Sequence, residues 1–447
     1  VQAIINLTQF DGEKALKEQY IREFQLDVKQ QENNIINIYP EVKYQNIEGF
    51  GGAITEAVGY TLSKLSPSLA EEVVSAYFSE DGNRYKFIRT HLDSCDFSLN
   101  NYSAVEDPCD KEFQSFSLEG HDSKYIIPLI YKANEIAKES LPVMLTPWSP
   151  PAFMKTNGER NGGGNLRKDC YSLWAKYICR YIREYISMKC NITMLSIQNE
   201  PKAVQLWDSC IFTAEEEKEF VKLHLYPALK ENGLGHIQLF IWDHNKERIY
   251  DRACEVIDAD TNKMVAGVSF HWYSGDHFDA VRLVKSRFPE KKLVFSEGCI
   301  EYSHSLGASQ LHNAQRYAHD MIGNLNSGMN LFLDWNIALD EKGGPNHAGN
   351  YCDAPIICDT LNNSIDKRLS FDYIGHFSRY IKPGAVRIAT TQYTDALELT
   401  AAENPDKSIT IVVLNRTAEI CNAFIRLREH LLPLYIPAAS ISSIVIN

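Results

Sequence analysis

Two glutamates follow short apolar runs directly: Glu200 in Ser196-Ile197-Gln198-Asn199-Glu200-Pro201 and Glu297 in Phe295-Ser296-Glu297-Gly298. A carboxyl at the end of a buried run is held in a partly dry site. Desolvation and a neighbouring carboxylate there raise the pKa of one group and keep it protonated as a general acid. The other, kept ionised by hydrogen bonds, can attack a carbon centre. Carboxyls about 5–5.5 Å apart define a retaining glycosidase, whereas roughly 6.5–9.5 Å leaves room for water and gives inversion. A glutamate before proline is, by itself, a common helix-start residue. The second strand-end glutamate makes the pair a catalytic candidate.

Other chemically capable residues also collect after apolar runs. Arg89 and His91 end one, with Asp93 and Asp96 just beyond; Thr146-Pro147-Trp148-Ser149-Pro150-Pro151 stiffens the segment that presents Trp148. Further runs deliver Trp242-Asp243-His244, His271-Trp272-Tyr273 and Asp334-Trp335-Asn336. Four of the six tryptophans fall at these ends, and Trp207 follows a fifth. An indole suits the C–H face of a pyranose, although a barrel mouth also needs bulky plugs. His271 and His277 are the nearest candidate metal ligands. Their spacing fits no zinc pattern, so no metal site is expected.

The elements that must position these residues alternate. Strands are predicted over 45–51, 85–91, 142–146, 193–198, 238–242, 265–271, 292–296 and 331–335. Helical patterns fall at 67–78, 125–138, 171–187, 214–232, 278–288 and 313–326. Eight strands with helical crossovers make an α/β protein with a parallel sheet, a (β/α)8 TIM barrel whose chemistry belongs at the C-terminal strand ends. An open doubly wound sheet is disfavoured because Gly49-Phe50-Gly51-Gly52 lacks the G-x-G-x-x-G spacing. Alternating strands at 385–390, 396–401, 408–415, 423–427 and 440–446, with 22–29 and 35–39, predict a side β-sandwich built from both termini. The expected division is 1–44 and 385–447 for the sandwich and 45–384 for the catalytic barrel.

Composition narrows the partners. The formal net charge of −13 without a dense basic cluster excludes nucleic acid, and the lack of an 18-residue apolar run excludes an integral membrane helix. Eleven scattered cysteines without a C-x-x-C pair argue against a disulfide framework and a structural zinc site. Reduced thiols and no visible signal peptide predict a cytoplasmic location, with secretion the alternative if a leader was removed. Sequons at Asn6, Asn101, Asn191, Asn362 and Asn415 carry little weight. The oligomeric state is not legible.

Longer motifs carry a resemblance. They are G-F-G-G-A-I-T-E-A (49–57), R-T-H-L-D-S-C-D-F-S (89–98), T-P-W-S-P-P-A-F-M-K-T-N-G (146–158), S-I-Q-N-E-P (196–201), F-H-W-Y (270–273), F-S-E-G-C (295–299), L-D-W-N-I-A-L (333–339) and G-G-P-N-H (343–347). From about residue 45 to 390 the chain resembles glycoside hydrolase family 30, in particular its glucosylceramidase-like branch. The resemblance implies that Glu200 is the acid/base and Glu297 the nucleophile. It implies a sugar pocket lined by Asp96, Trp148, Asn199, Tyr273, Trp335 and Asn346, with Arg89 and His271 behind it keeping Glu297 ionised. Asn199 would bond the 2-hydroxyl, Asp96 two further hydroxyls, and Tyr273 the nucleophile's carboxylate.

Two departures stand out. Asp243-His244 lies where a member of that branch has consecutive aspartates, which bears on the outer pocket. His347 replaces an aromatic, which bears on the aglycone side. Cys95 and Cys299, each beside a site residue, are expected to be small buried packing. Together these residues predict a retaining β-glycosidase acting on a β-glucoside or glycolipid such as glucosylceramide, with no cofactor. β-Xylosides, β-fucosides and β-1,6-glucans are other specificities of the family. A non-catalytic sugar- or lipid-binding protein on the same scaffold is disfavoured by the presence of both carboxylates.

Overall fold

Eight short strands close into a parallel barrel in chain order: Gly49–Ala53, Phe87–Leu92, Pro142–Pro147, Asn191–Ser196, Gln238–Asn245, Val265–His271, Lys292–Glu297 and Leu331–Asp334. The structure is a computed structural model describing residues 1–305 and 307–447. Met144, Met194, Phe240, Val294, Leu331 and Leu333 cluster as an apolar plug, filling the barrel as side chains do in this fold. The G-F-G-G motif is absorbed by strand packing. A Cβ on Gly51 would lie 2.1 Å from the Phe87 carbonyl oxygen, so only glycine lets the first two strands approach.

The first strand starts later than the sequence predicts. Residues 45–47 instead finish a long strand, Ile35–Ile47, that pairs with Ala385–Gln392 of the side sheet. The Gln45 amide anchors that end, donating to the carbonyls of Leu325 (2.7 Å) and Met329 (3.0 Å). Helices Pro67–Phe78 and Tyr171–Ser187 have the predicted bounds. The predicted 214–232 helix is interrupted by a π-helical turn at Phe220–Leu225. Helices Glu56–Ser63, Ile249–Val256 and Leu369–Ser378 were not predicted.

The side sheet has ten strands drawn from both ends of the chain. Gln2–Phe10 lies between Ala15–Glu23 and Ser440–Ile446, and Ile35–Ile47 lies between Ala385–Gln392 and Cys421–Leu427. The sheet folds over its own core, in which Ile5, Ile36, Ile388, Ile411, Ile425 and Ile444 meet. The strand expected at 22–29 is instead the end of Ala15–Glu23 followed by the two-residue Gln25–Leu26. Ala15–Glu23 is an almost wholly exposed edge strand, so it carries no apolar alternation to read.

Leu369–Ser378 docks barrel to sheet through His376, which is buried between Ser443 and Thr8. Ser443 gives its hydroxyl proton to the His376 carbonyl at 2.7 Å. His376 Nδ1–H therefore donates to Ser443 Oγ (2.7 Å), and Nε2 accepts from Thr8 Oγ1 (2.9 Å). Among the described residues no helix is long and apolar enough to cross a membrane. The sequon residues Asn6 and Asn415 are buried in the sheet.

Candidate active site

The fourth and seventh barrel strands deliver the two glutamates to one end of the barrel. Glu297 is the last residue of its strand and 6% exposed; Glu200 lies four residues past its own strand, turned inward by a left-handed backbone (φ 47°). Its amide donates to the Asp243 carbonyl (2.9 Å), which fixes that turn. Trp242 (φ 72°) and Asp243 (φ 49°) are left-handed as well. Non-glycine residues held there store backbone strain of about 1–3 kcal/mol each, maintained by the surrounding bonds.

Arg89 ties the site together from beneath, with no exposed surface. It donates to Glu297 Oε2 through Nη1 (2.6 Å), and through Nη2 to Asn199 Oδ1 (3.0 Å) and Asp243 Oδ2 (3.1 Å). Its guanidinium carbon lies 4.9 Å from the Trp148 ring and 5.2 Å from Trp335, and the two indoles stack on each other at 5.2 Å. Tyr273 donates its hydroxyl to Glu297 Oε1 at 3.0 Å. Glu297 thus receives an arginine and a phenol.

His271 takes a different position from the one expected. Its Nε2 meets Asp243 Oδ1 (3.0 Å), while Nδ1 is 3.2 Å from Glu200 Oε1 and 3.9 Å from Glu297 Oε1. Its hydrogen bond therefore goes to Glu200, and Glu297 feels it mainly as a charge. The two carboxylate oxygens that reach this nitrogen lie at most about 7 Å apart, a bound that admits the retaining spacing and only the lower end of the inverting one.

Electrostatics follow from this wiring. Burial disfavours a charged His271, but Glu297, Asp243 and Glu200 raise its pKa to about 9. Burial also disfavours ionised Asp243, yet Arg89, His271 and the Ser196 hydroxyl (2.5 Å) hold it well below the usual carboxylate range. Ser296 is a further donor to Asp243. Burial raises Glu297 against the pull of His271 and Arg89, and Glu200 pushes the same way. At Glu200, burial is outweighed by His271 and His244, so its pKa falls. These two directions run opposite to the expected assignment, because His271 sits on Glu200.

Of the residues expected to line the sugar pocket, all but Asn346 converge on a cavity of about 370 Å³ lined by both glutamates, Asp96, Trp148, Asn199, Tyr273 and Trp335. Asp96 accepts from the amides of Asn346 (3.2 Å) and Asn350 (3.5 Å), and burial with Glu297 nearby lifts its pKa to about 7. Asn346 therefore acts through Asp96. Trp207, Cys299, His244 and Arg316 complete much of the wall. Trp242 and Trp272 do not line it. Their indole N–H groups donate to the Asn245 and Cys299 carbonyls, and Arg252 and Arg316 cover their rings. A larger cleft of about 920 Å³ contains Glu48 and Glu290, but each faces a lysine, so size does not mark the site.

Both departures have a structural meaning. Of the Asp243-His244 pair, Asp243 is wholly buried in the Arg89–His271 network, while His244, the residue that departs, lines the cavity beside Glu200. His347 turns to Asp208, Nε2 to Oδ2 3.0 Å, and is not among the residues that line the cavity. The role of Asp243, with Ser196 and Ser296 behind it, is what sequence reasoning missed. Its one visible signal was a carboxylate directly after a strand.

A family model for the glycosyl hydrolase family 30 TIM-barrel domain matches residues 47–381, and one for that family's β-sandwich domain matches 384–444. The chain belongs to glycoside hydrolase family 30. Lysosomal acid glucosylceramidase of Mus musculus is 33% identical over 403 residues, 86% of this chain and 78% of that protein. Among solved structures, SrfJ from Salmonella typhimurium superposes with a TM-score of 0.94 at 36% identity, covering 99% of both chains. An endo-β1,6-glucanase superposes at 0.89 with 26% identity, covering 100% of this chain and 99% of that one. This family 30 member is a glycoside hydrolase.

Proposed function

We propose that the chain is a retaining β-glycosidase whose substrate is a β-glucoside, with a glucosylceramide-type glycolipid the favoured form. The observation that carries this reading is the convergence of Glu200 and Glu297 on one nitrogen of His271 at the cavity. Glu297, steadied by Arg89 and Tyr273, attacks the anomeric carbon while the glycosidic C–O bond breaks. Glu200 gives its proton to the departing oxygen, and His271, hydrogen-bonded to it, is placed to supply that proton. Glu200 then takes a proton from water, which attacks the same carbon and releases Glu297. The likeness to the mouse glucosylceramidase supports a glucoside; the likeness to the endo-β1,6-glucanase favours β-1,6-glucan as the second reading.

The test is a panel of aryl β-glucoside, β-xyloside and β-fucoside with glucosylceramide and a β-1,6-glucan, the first-formed anomer being followed by NMR. Glucoside and glucosylceramide are expected to turn over with β-glucose appearing first. First appearance of α-glucose overturns the double displacement. Preference for the glucan transfers the reading to the second substrate. Sugar binding without any turnover makes this a binding protein.

A further inference from the structure

We propose that Glu200, His244 and His271 form a site for a zinc-class divalent cation, which on binding reversibly silences the enzyme. Glu200 follows the fourth barrel strand, and His244 and His271 end the neighbouring fifth and sixth, at the same end of the barrel. One carboxylate oxygen and two imidazole nitrogens lie within 4.8 Å of one another. Glu200 Oε1 is 3.2 Å from His271 Nδ1 and 3.7 Å from His244 Nδ1. Around a tetrahedral zinc with bonds of about 2.0–2.1 Å, neighbouring donors stand about 3.3 Å apart. Two edges of that polyhedron are already close to this length. Two histidines and one glutamate also form a donor set that zinc uses where a fourth position stays open. Here that position faces the cavity, which Glu200 and His244 both line.

Two further observations point to a ligand. His244 Nδ1 is buried and has no hydrogen-bond partner among the described residues, although it faces Glu200. A buried ring nitrogen without a partner forgoes a bond that a cation would supply. Behind His271, Asp243 Oδ1 holds the other ring nitrogen at 3.0 Å, the carboxylate–histidine arrangement that orients metal-binding imidazoles. Glu200, Glu297 and Asp243 set three carboxylates around Arg89 and His271, so exchanging the His271 proton for a divalent cation adds a positive charge where the carboxylates are in excess. On binding, the proton between His271 and Glu200 leaves to solvent, and no electron moves. His277, the partner for His271 that sequence spacing suggested, instead meets the Ser274 carbonyl at 3.1 Å.

That occupancy silences catalysis rests on the reading of Glu200 as acid/base, because a coordinated oxygen cannot protonate the leaving group. The coordination itself does not rest on that reading, and it is tested separately. The full chain is titrated with Co²⁺ and its visible ligand-field band recorded, followed by competition with Zn²⁺ and reversal with EDTA. Wild type is expected to bind one Co²⁺ with that band. His244→Asn is expected to weaken binding by roughly 100-fold, since loss of a ligand costs at least as much as loss of its supporting residue. His319→Gln, which alters a half-buried imidazole between Asp276 and Glu398, is expected to bind as wild type. Equal Co²⁺ affinity in H244N and wild type, or loss of the band in H319Q alone, overturns the site. Binding that vanishes in H244N while Zn²⁺ leaves wild-type turnover unchanged refutes the silencing and questions the role of Glu200.

Discussion

Glu297→Gln keeps the volume at the end of the seventh strand but removes the charge that Arg89 and Tyr273 hold in place. Turnover of an aryl β-glucoside is expected to fall at least about 100-fold with the circular dichroism spectrum unchanged. Activity above that level removes Glu297 as nucleophile. Glu200→Ala acts on both steps. With an activated leaving group the first step needs no acid, so added azide should restore rate and yield the β-glycosyl azide. No azide product argues against the acid/base role. Both glutamates were legible because each lies at or just beyond the end of an apolar run. The reach of His271 was not, since the choice between Glu200 and Glu297 depends on how three strand ends stagger. Position after a strand did not separate Trp148 and Trp335, which face the cavity, from Trp242 and Trp272, which do not; only the longer motifs around them did.

Between elements, the His347–Asp208 contact joins the loop after the eighth strand to the loop after the fourth. Asn346 beside the one positions Asp96, and Trp207 beside the other lines the cavity, so the contact sets the rim. Burial resists protonation of His347, but Asp208 raises its pKa above 6.5. Asp208 is held well below the carboxylate range, with Arg160 and His347 overcoming burial. The charged clamp is therefore complete below about pH 6.5 and is lost as pH rises through the elevated pKa of His347. KM should rise about three- to tenfold across that alkaline limb, and His347→Gln should flatten the rise with less effect on kcat. A KM profile equal to wild type in H347Q rejects the clamp. Helix Tyr171–Ser187 was legible because Tyr171, Trp174, Ile178, Tyr181 and Tyr185 fall on one buried stripe. Leu369–Ser378 is buried at every position, so no stripe distinguishes it.

At the scale of the whole molecule, barrel and side sheet are joined through a histidine that must stay neutral. Burial, with Arg379 and Lys17 nearby, lowers the pKa of His376 to about 3. An unfolded chain takes up that proton near pH 6.5, while the folded one resists it until about 3. Stability is therefore full above about 6.5 and declines as pH falls towards 3, by on the order of 4 kcal/mol from this group. His376→Gln retains a donor and an acceptor but cannot titrate. Its urea midpoint should drop less than wild type's between pH 7 and pH 4, and an equal drop assigns the acid sensitivity elsewhere.

The strand order of the side sheet also has a consequence in time. Gln2–Phe10 meets Ala15–Glu23 at once, but its other neighbour is Ser440–Ile446, with Ala3 opposite Ile446. On the ribosome, that edge waits with bare amides and carbonyls until Ser440–Ile446 has been translated. The barrel can close before then, yet the early hairpin stays open to pairing with a neighbouring nascent chain. Slow synthesis or crowded expression should therefore be felt first as aggregation seeded at the amino end.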